Sequence, residues 1–448
     1  MRANRLFVIA VLSVLLSACA QDKVVIDDAL DQKLKETLNV TSEEKDYSWY
    51  IMPSSSDYQS IVQEPVNPLS PVKVQLGKFL FHETGLGRNA VKEVGMNTFS
   101  CSTCHVPDRG FVAGREQGIA DGGMGFGKSG EARTIHPDYQ ENELDVQGAR
   151  PLLTLNLQYV TNTSWAGKFG ANDNNEGTEH LWDKDIDAEL NKMGMLGLET
   201  QNISGLRVHR MEIDREVVEE LGYKGYFDMA FPEFPEDERY SLLTGSLAIS
   251  AYLRSLMTQD APFQKWLKGE SDAMNEQQKR GALLFFGKAK CFTCHNGPAL
   301  NKNDFYALGV NDLYETGTAF FTDETDIRNF GRGGFTEEQS DMYKFKVPQL
   351  YNLKDARFYF HGSSKRSLRE VVEYFNEGVA ENTRVPAENL APQFHPLYLT
   401  DQEVDDLTEF LEHGLYDPNL LRYTPASLPS GNCFPNGDKV SKEDMGCQ

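Results

Sequence analysis

Two short stretches of the chain have the residue types and spacing best suited to chemistry. Both are C-x-x-C-H pentapeptides: Cys101-Ser102-Thr103-Cys104-His105 and Cys291-Phe292-Thr293-Cys294-His295. Two thiols spaced in this way lie on one turn of chain, where both can bond to the vinyl groups of one porphyrin, and the histidine that follows can bind the iron. The repeated motif predicts two covalently bound c-type haems, with His105 and His295 as iron ligands.

Cysteine pairs of this kind can also build two other sites. Both pairs together can hold a structural zinc ion, and a single C-x-x-C pair can act as a thioredoxin-like redox centre. Zinc does not require a histidine at the same place in both motifs, and a redox pair belongs near a βαβ pattern. The haem interpretation is therefore favoured over both alternatives.

The N-terminus has the pattern of an export signal. Arg2 and Arg5 precede a short apolar run, and the segment Leu16-Ser17-Ala18-Cys19 follows it and resembles a bacterial lipobox. We expect a lipoprotein signal peptide over residues 1–18 and a lipid on Cys19; a plain signal peptide is the alternative. The expected location is periplasmic, with a lipid anchor in the outer membrane, and residues 19–64 are expected to form a linker or a wrapping arm.

Length and charge restrict the kind of protein and partner. The chain has 448 residues and a formal net charge of −23. At about 100–200 residues per domain it forms two or three domains. The negative charge argues against nucleic acid, since phosphate contacts require a Lys/Arg surface, and it favours basic partners.

The elements that must position the two motifs are helices. Apolar residues recur at helical spacing over residues 242–256, and Ser70 before Pro71 is typical of a helix start. Ser367 with Glu370 predicts a capping box, in which each side chain accepts from the other residue's backbone amide. Signals for β-hairpins are scarce.

A weak internal repeat precedes the two pentapeptides. Gly77-Lys78-Phe79-Leu80-Phe81 and Gly281-Ala282-Leu283-Leu284-Phe285 share the pattern G-x-x-L-F. The predicted fold is mainly α, with two tandem cytochrome c-like haem domains over residues 65–260 and 261–425. Residues 426–448 form a tail in which Cys433 and Cys447 can pair, and such a disulfide would stabilise the fold by about 3 kcal/mol.

Further motifs resemble the bacterial dihaem cytochrome c peroxidase family, which includes the MauG-type enzymes. They occur in the family's order: Leu76 to Phe81, Arg150 to Asn156, Trp165-Ala166-Gly167, Ala261-Pro262-Phe263, Phe345 to Asn352 and Tyr359-Phe360-His361-Gly362. The resemblance implies a mostly helical fold. It also implies an N-terminal haem that reduces peroxide and a C-terminal haem that transfers electrons.

The resemblance assigns roles to individual side chains. Trp165 matches a tryptophan between the two haems that relays electrons; the alternative is a core tryptophan. Glu199 matches a distal acid that moves a proton during peroxide cleavage; the alternative is a solvated glutamate. His361 falls near the second haem, where a structural role is at least as well supported. His136 lies beyond the loop position at which some members close the first haem, so an open site is expected. Pro151 follows Arg150 where the family's calcium uses an Asn, so calcium is doubtful.

The sixth ligand of the second haem is where this chain departs from the family pattern. The family uses Met or Tyr, and counting from His361 places Phe375 at that position. Phenylalanine has no lone pair and cannot bind iron. The candidates are therefore Tyr374, the adjacent residue, then no protein ligand at all, and then Met342.

Three functions follow from the resemblance. The first is reduction of hydrogen peroxide with electrons from a small cytochrome or cupredoxin, passing from the C-terminal haem through Trp165 to the N-terminal haem. The second is a MauG-like oxidation of a Trp or Tyr of a partner protein. The third is a dihaem electron carrier without catalysis.

Overall fold

The computed structural model describes residues 29–447, so the predicted signal peptide and the lipid on Cys19 lie outside the described residues. Within them, helices dominate, and none is long and apolar enough to cross a membrane. The α-helices are α1 (Ala29–Thr41), α2 (Pro71–His82), α3 (Cys101–Cys104), α4 (Glu179–Trp182), α5 (Gly197–Val208), α6 (Arg215–Glu220), α7 (Lys224–Ala230), α8 (Leu242–Arg254), α9 (Pro262–Leu267), α10 (Glu276–Phe285), α11 (Gly333–Thr336), α12 (Leu368–Glu377), α13 (Asp401–Glu409) and α14 (Lys439–Met445).

Strands are confined to two short antiparallel pairs in the described residues. β1 (Gly123–Met124) pairs with β2 (Thr134–Ile135), and β3 (Phe305–Tyr306) pairs with β4 (Phe345–Lys346). The mainly α prediction is confirmed. β4 begins the segment Phe345 to Asn352, which is one of the segments that carry the family resemblance.

The predicted helix starts are confirmed, with one difference in detail. The Ser70 hydroxyl accepts from the Lys73 amide at the start of α2, and the Ser367 hydroxyl accepts from the Glu370 amide at the start of α12. The Glu370 carboxylate accepts from the Arg366 amide at 2.7 Å rather than from the amide of Ser367. The half of the cap that the serine provides is therefore as predicted, and the carboxylate binds one residue earlier.

Most buried apolar side chains belong to two large cores. The first lies between α2, α5, α6, α7 and α8, and the second lies between α1, α9, α10, α12 and α13. In each core one helix of the G-x-x-L-F repeat packs on a later helix of the same half, α2 on α8 and α10 on α13.

The glycine of the repeat has the same physical cause in both halves. A Cβ on Gly77 would lie 1.8 Å from the carbonyl oxygen of Ala248 in α8, and a Cβ on Gly281 would lie 2.0 Å from that of Asp406 in α13. Both are far inside van der Waals contact, so only glycine lets these helix pairs approach so closely. The repeat therefore marks a helix crossing that both halves share.

Each end of the described part of the chain packs on the core that lies farther from it in sequence. The N-terminal residues pack on the second core, and the C-terminal tail packs beside the first. Leu34 and Leu38 of α1 are fully buried in the second core, where Asp31 accepts from the Trp266 indole at 2.8 Å and pairs with Lys279. Residues 29–52 therefore wrap around the half that lies later in the sequence.

The C-terminal tail returns to the first half. The predicted disulfide is confirmed, since Cys433 is bonded to Cys447 with their Cα atoms 6.0 Å apart. The carbonyl of Pro435 accepts from the Ser100 hydroxyl at 2.9 Å, and Asp438 pairs with the buried Arg133 at 3.4 Å. The tail thus covers the turn that carries the first C-x-x-C-H motif.

Candidate haem sites

The first motif occupies a single capped turn. Cys101 and Cys104 are the first and last residues of α3 and carry free thiols, and the Ser100 amide donates to the Thr103 hydroxyl at 2.9 Å. Nδ1 of His105 lies 3.1 Å from the carbonyl oxygen of Phe111. Because a carbonyl only accepts, Nδ1 carries the proton and the lone pair is on Nε2, the tautomer that binds a metal through Nε2.

The second motif repeats this arrangement on a 3₁₀ turn, Cys291–Thr293. Cys291 and Cys294 are again free thiols, and Nδ1 of His295 lies 3.0 Å from the carbonyl oxygen of Leu300. Burial lowers the pKa of His105 and of His295 to about 4, so both rings are neutral. Neutral imidazole is the form that binds iron.

Each motif lines its own cavity. Cys101, Cys104 and His105 line a cavity of 540 Å³, and Cys291, Cys294 and His295 line one of 220 Å³. We refer to these as the first and second cavities. They share one boundary, which we call the dividing wall, formed by residues 150–153, Trp165 and residues 346–348.

Two buried cations lie in the dividing wall, and their partners indicate whether the wall suits a haem. Arg150 donates to the carbonyls of Arg115 and Ala356, and Lys346 donates to the Asn303 amide oxygen at 2.9 Å; among the described residues neither has a carboxylate partner. Burial lowers the pKa of Arg150 to about 9 and that of Lys346 to about 8. A haem carries two carboxylates, so uncompensated cations beside two thiols and a neutral histidine fit this group.

Trp165 occupies the centre of the dividing wall and lines both cavities. Its indole donates to the Arg150 carbonyl at 2.6 Å, and its own carbonyl accepts from the Lys346 amide at 2.9 Å. The first bond fixes the indole ring, and the second fixes the backbone of Trp165 beside β4. The segments that carry the family resemblance, around Arg150, Trp165 and Lys346, meet here although they are far apart in sequence.

His361 lines the second cavity and is held by three contacts. Its Nε2 lies 2.8 Å from Asp312 Oδ1, its ring stacks on Phe345 with centroids 3.5 Å apart, and its carbonyl accepts from the Arg150 amide at 2.7 Å. The side chain is 2 % exposed. Because Asp312 already occupies Nε2, these contacts are those of a residue that fixes the wall.

The two aromatic residues near the end of α12 differ in their relation to the second cavity. Phe375 lines the second cavity, whereas the Tyr374 hydroxyl donates to the Leu308 carbonyl at 2.6 Å and its ring packs on Phe394. Successive helical residues differ in direction by about 100°, and of the two only Phe375 is part of the described lining of this cavity. The hydrogen bond of Tyr374 to Leu308 and its absence from the described lining therefore do not support it as the sixth ligand.

The other ligand candidates lie away from the cavities. Met342 packs against Gly333, and it is the next residue, Tyr343, that lines the second cavity. His136 lies beside Asp138 and Tyr139 rather than in the described lining of the first cavity. Among the described residues there is also no cluster of three or more His, Cys, Asp or Glu that could hold a metal ion such as calcium.

Glu199 is buried on the side of α5 that faces α8. Its carboxylate accepts from Arg254 and from the Asn67 amide at 3.3 Å, and both Glu199 and Arg254 are fully buried. Burial raises the pKa of Glu199, and Arg254 opposes this effect. Its neighbours Leu198 and Gln201 line the first cavity, but Glu199 is not part of the described lining. Glu199 was expected to be a distal acid or, alternatively, a solvated glutamate. In the structure it forms a buried ion pair with Arg254.

His209, which the motifs did not single out, lies in the described lining of the first cavity. It caps the C-terminal end of α5, and its Nδ1 lies 2.8 Å from Asp145 Oδ2. The signal in the sequence was weak, because Asp145 and His209 are far apart and neither belongs to a recognisable motif.

Comparisons with known proteins agree with this geometry. Residues 71–272 match the model of the di-haem cytochrome c peroxidase family. The chain is 26% identical to the methylamine utilization protein MauG of Methylorubrum extorquens, over 83% of this chain and 84% of that protein. It is also 26% identical to the cytochrome-c peroxidase IdrP1 of Denitromonas iodatirespirans, over 77% of this chain and 82% of that protein.

A solved structure has the same fold. A MauG-like protein associated with microbial copper homeostasis superposes with a TM-score of 0.57 at 24% identity, covering 83% of this chain and 95% of that one. The family model covers α2 to α9 and includes the first C-x-x-C-H motif, and the MauG and peroxidase relatives extend the match over most of the chain. Residues 71–272 therefore resemble the di-haem cytochrome c peroxidase family, and the chain is similar over most of its length to relatives named MauG and cytochrome-c peroxidase.

Proposed function

We propose that this protein reduces hydrogen peroxide with electrons from a small redox protein, a cytochrome or a cupredoxin. The observation that carries the proposal is Trp165, which lines both cavities while each cavity is lined by its own C-x-x-C-H motif. This arrangement suits one site that reacts and a second that supplies electrons.

Two covalently bound haems would supply the redox chemistry, one for the reaction with peroxide and the other for the exchange of electrons. His105 and His295 hold them from neutral imidazoles, and Arg150 and Lys346 provide cations for their carboxylates. We assign one haem domain to residues 65–260 and the other to residues 261–425. The N-terminal arm packs on the second of these domains, and the C-terminal tail packs on the first.

The linings of the two cavities support assigning peroxide to the first. Polar side chains of Asp145, Gln201 and Asn202 line the first cavity, and such groups can bind peroxide and move its protons. The second cavity has Phe375 and the aliphatic side chains of Leu368 and Val372 along α12. The face that α12 presents to this cavity is therefore apolar, which suits electron exchange, while polar groups such as Asp312 and Tyr343 lie elsewhere in the lining.

Trp165 is the proposed relay between the cavities. Its indole is fixed through the Arg150 carbonyl, and its ring lies next to that of His361. A fixed aromatic ring between two redox centres shortens each electron step. His361 and Asp312 are assigned to holding this ring and the wall in place.

The periplasm is the proposed location, with a lipid anchor on Cys19 in the outer membrane. The Cys433–Cys447 disulfide supports an oxidising compartment. The electron donor is expected to be a small protein with a basic surface, because the chain carries a formal net charge of −23.

A MauG-like oxidation of a Trp or Tyr of a partner protein is the second candidate. It is favoured by the equal identity, 26%, of the chain to the MauG protein and to a cytochrome-c peroxidase. A Tyr ligand at the second haem would favour the MauG-like function, and a Met ligand would favour the peroxidase. Neither Tyr374 nor Met342 is part of the described lining of that cavity, so these two candidates favour neither function.

Steady-state turnover separates these functions. The protein with both haems is mixed with hydrogen peroxide and a reduced small cytochrome, and oxidation of the cytochrome is followed by absorption. The proposal predicts two cytochromes oxidised per peroxide consumed. Consumption of peroxide with a slow donor reaction and a long-lived oxidised protein would favour the MauG-like function, and no reaction with peroxide would leave an electron carrier.

A further inference from the structure

The side chains of the first cavity include an imidazole that the motifs did not reveal. His209 lines this cavity at the end of α5 and pairs through Nδ1 with the buried Asp145, which lines the same cavity. The His209 side chain is 34 % exposed and that of Asp145 is 4 % exposed. The pair therefore connects a buried carboxylate, the interior of the cavity and solvent.

The pairing fixes the chemistry of the ring. A carboxylate accepts, so Nδ1 of His209 carries a proton, and Nε2 has no hydrogen-bond partner within residues 29–447. Nε2 is thus free to take up a proton and give it back. Burial alone would lower the pKa of His209, but the neighbouring Asp145 outweighs this and raises it. Of the other charged groups around the ring, Arg210 lowers the pKa and Asp187 raises it.

The other carboxylates and two of the other cations of this cavity are already paired, and Arg150 and Lys346 are the cations assigned above to the haem carboxylates. Asp185 and Asp187 pair with Lys168 at 2.9 and 3.2 Å. Arg328 pairs with Asp326 at 2.8 Å.

Glu199, the acid that the family resemblance suggested, pairs with Arg254 behind the cavity. Apart from His105, His209 is the only imidazole in the described lining. It is therefore the side chain best able to exchange a proton near neutral pH.

We propose that His209, positioned by Asp145, transfers the proton during peroxide cleavage in the first cavity. Nε2 takes a proton from one oxygen of hydrogen peroxide and returns it to the other oxygen, which leaves as water when the O–O bond breaks. Complete reduction to two waters consumes two electrons from the small redox protein and two further protons from solvent. This inference rests on the proposed peroxidase function and names the side chain that function requires.

The test compares His209→Gln with His136→Gln by rapid mixing with hydrogen peroxide. Glutamine keeps a polar side chain of similar size but does not titrate. His136 is a matched control because it also lies beside an aspartate, Asp138, yet is not in the described cavity lining. His209→Gln should slow the reaction about 10²–10⁴-fold, the usual contribution of such a group, and His136→Gln should react like the unaltered protein.

The pH profile gives a second measurement. The base form of His209 is the reactive one, so the rate should rise with pH through its pKa. Asp145→Asn removes the charge that raises this pKa, so the rise should move to lower pH, and His209→Gln should abolish it. A profile that both changes leave in place would overturn the proposal.

Cyanide binding provides a readout that does not depend on turnover. Hydrogen cyanide must lose a proton to bind ferric haem, so His209→Gln should slow cyanide association as followed by absorption. Haem content and thermal unfolding establish that the variants are folded. If the unaltered protein does not react with peroxide, the proposed function fails. If it reacts and His209→Gln matches it in rate, pH profile and cyanide association, only this inference fails.

Discussion

The ring of Trp165 lies 6.2 Å from that of His361 at an interplanar angle of 72°, in the wall that separates the two haem cavities. Both side chains are tied to Arg150, Trp165 by its indole and His361 by its carbonyl. The backbone of Arg150 therefore links the position of Trp165, the proposed relay, to that of His361 in the second cavity.

Replacing the relay tests its role. Trp165→Phe keeps an aromatic ring but removes the hydrogen bond to the Arg150 carbonyl, at a cost of about 1 kcal/mol. We expect slower transfer of electrons between the haems, with both haems still attached. The measurement is rapid mixing of the half-reduced protein with peroxide, monitoring oxidation of the second haem. An unchanged transfer rate would assign Trp165 to packing alone.

The orientation of the two aromatic side chains near the end of α12 can be tested by substituting each of them in turn. Tyr374→Phe should leave the haem absorption and EPR spectra unchanged and cost about 1 kcal/mol, because it removes only the bond to the Leu308 carbonyl. Phe375→Met should add a low-spin signal, because it places a thioether in the lining of the second cavity. Loss of a low-spin signal in Tyr374→Phe would contradict this orientation of the helix.

The Glu199–Arg254 pair is expected to act mainly in stability. Glu199→Gln leaves the guanidinium of Arg254 buried without a charge partner, and breaking such a pair costs about 3–5 kcal/mol. Chemical denaturation should show this loss, and the double change Glu199→Gln with Arg254→Leu should recover part of it. A stable Glu199→Gln variant with impaired peroxide reaction would instead support Glu199 as the distal acid.

The close helix crossings can be tested with three alanine substitutions. Gly77→Ala and Gly281→Ala should each destabilise the protein by about 1–3 kcal/mol, because the added methyl group overlaps the facing backbone. Gly225 in α7 is the control. A Cβ there meets nothing within 4 Å, so Gly225→Ala should stabilise the protein by about 0.5–1 kcal/mol through helix propensity. Equal effects at all three sites would show that the crossings do not require glycine.

The disulfide should stabilise the first half in particular. Changing Cys433 and Cys447 together to Ser should cost about 3 kcal/mol and release the tail from Ser100. Hydrogen exchange should then increase around the first C-x-x-C-H turn and not around the second. Uniform exchange in both halves would show that the tail does not support this turn.

The sequence predicted what depends on local spacing. The two pentapeptides and the helix starts at Ser70 and Ser367 are determined by neighbouring residues, and all lie where expected. Counting from His361 also identified Phe375 as the residue at the ligand position, and it lines the second cavity. Spacing alone could not decide between Phe375 and Tyr374, because a shift of one residue turns a helical side chain by about 100°.

Long-range pairing could not be predicted in this way. The environment of Glu199 depends on Arg254, and that of His209 on Asp145, which are brought together only when α5 packs. The position of the C-terminal tail also depends on a long-range pair, because Asp438 contacts Arg133, which lies far away in the sequence. Such contacts leave no periodic pattern, since each partner looks like an ordinary surface residue.

The most direct test of the central claim is to remove the haems one at a time. Cys101→Ala with Cys104→Ala should remove the first haem, and Cys291→Ala with Cys294→Ala the second, with a pyridine haemochrome assay verifying each loss. Rapid mixing with hydrogen peroxide should then give a fast spectral change only in the variant that keeps the first haem. A fast reaction in the variant that keeps only the second haem would contradict the account.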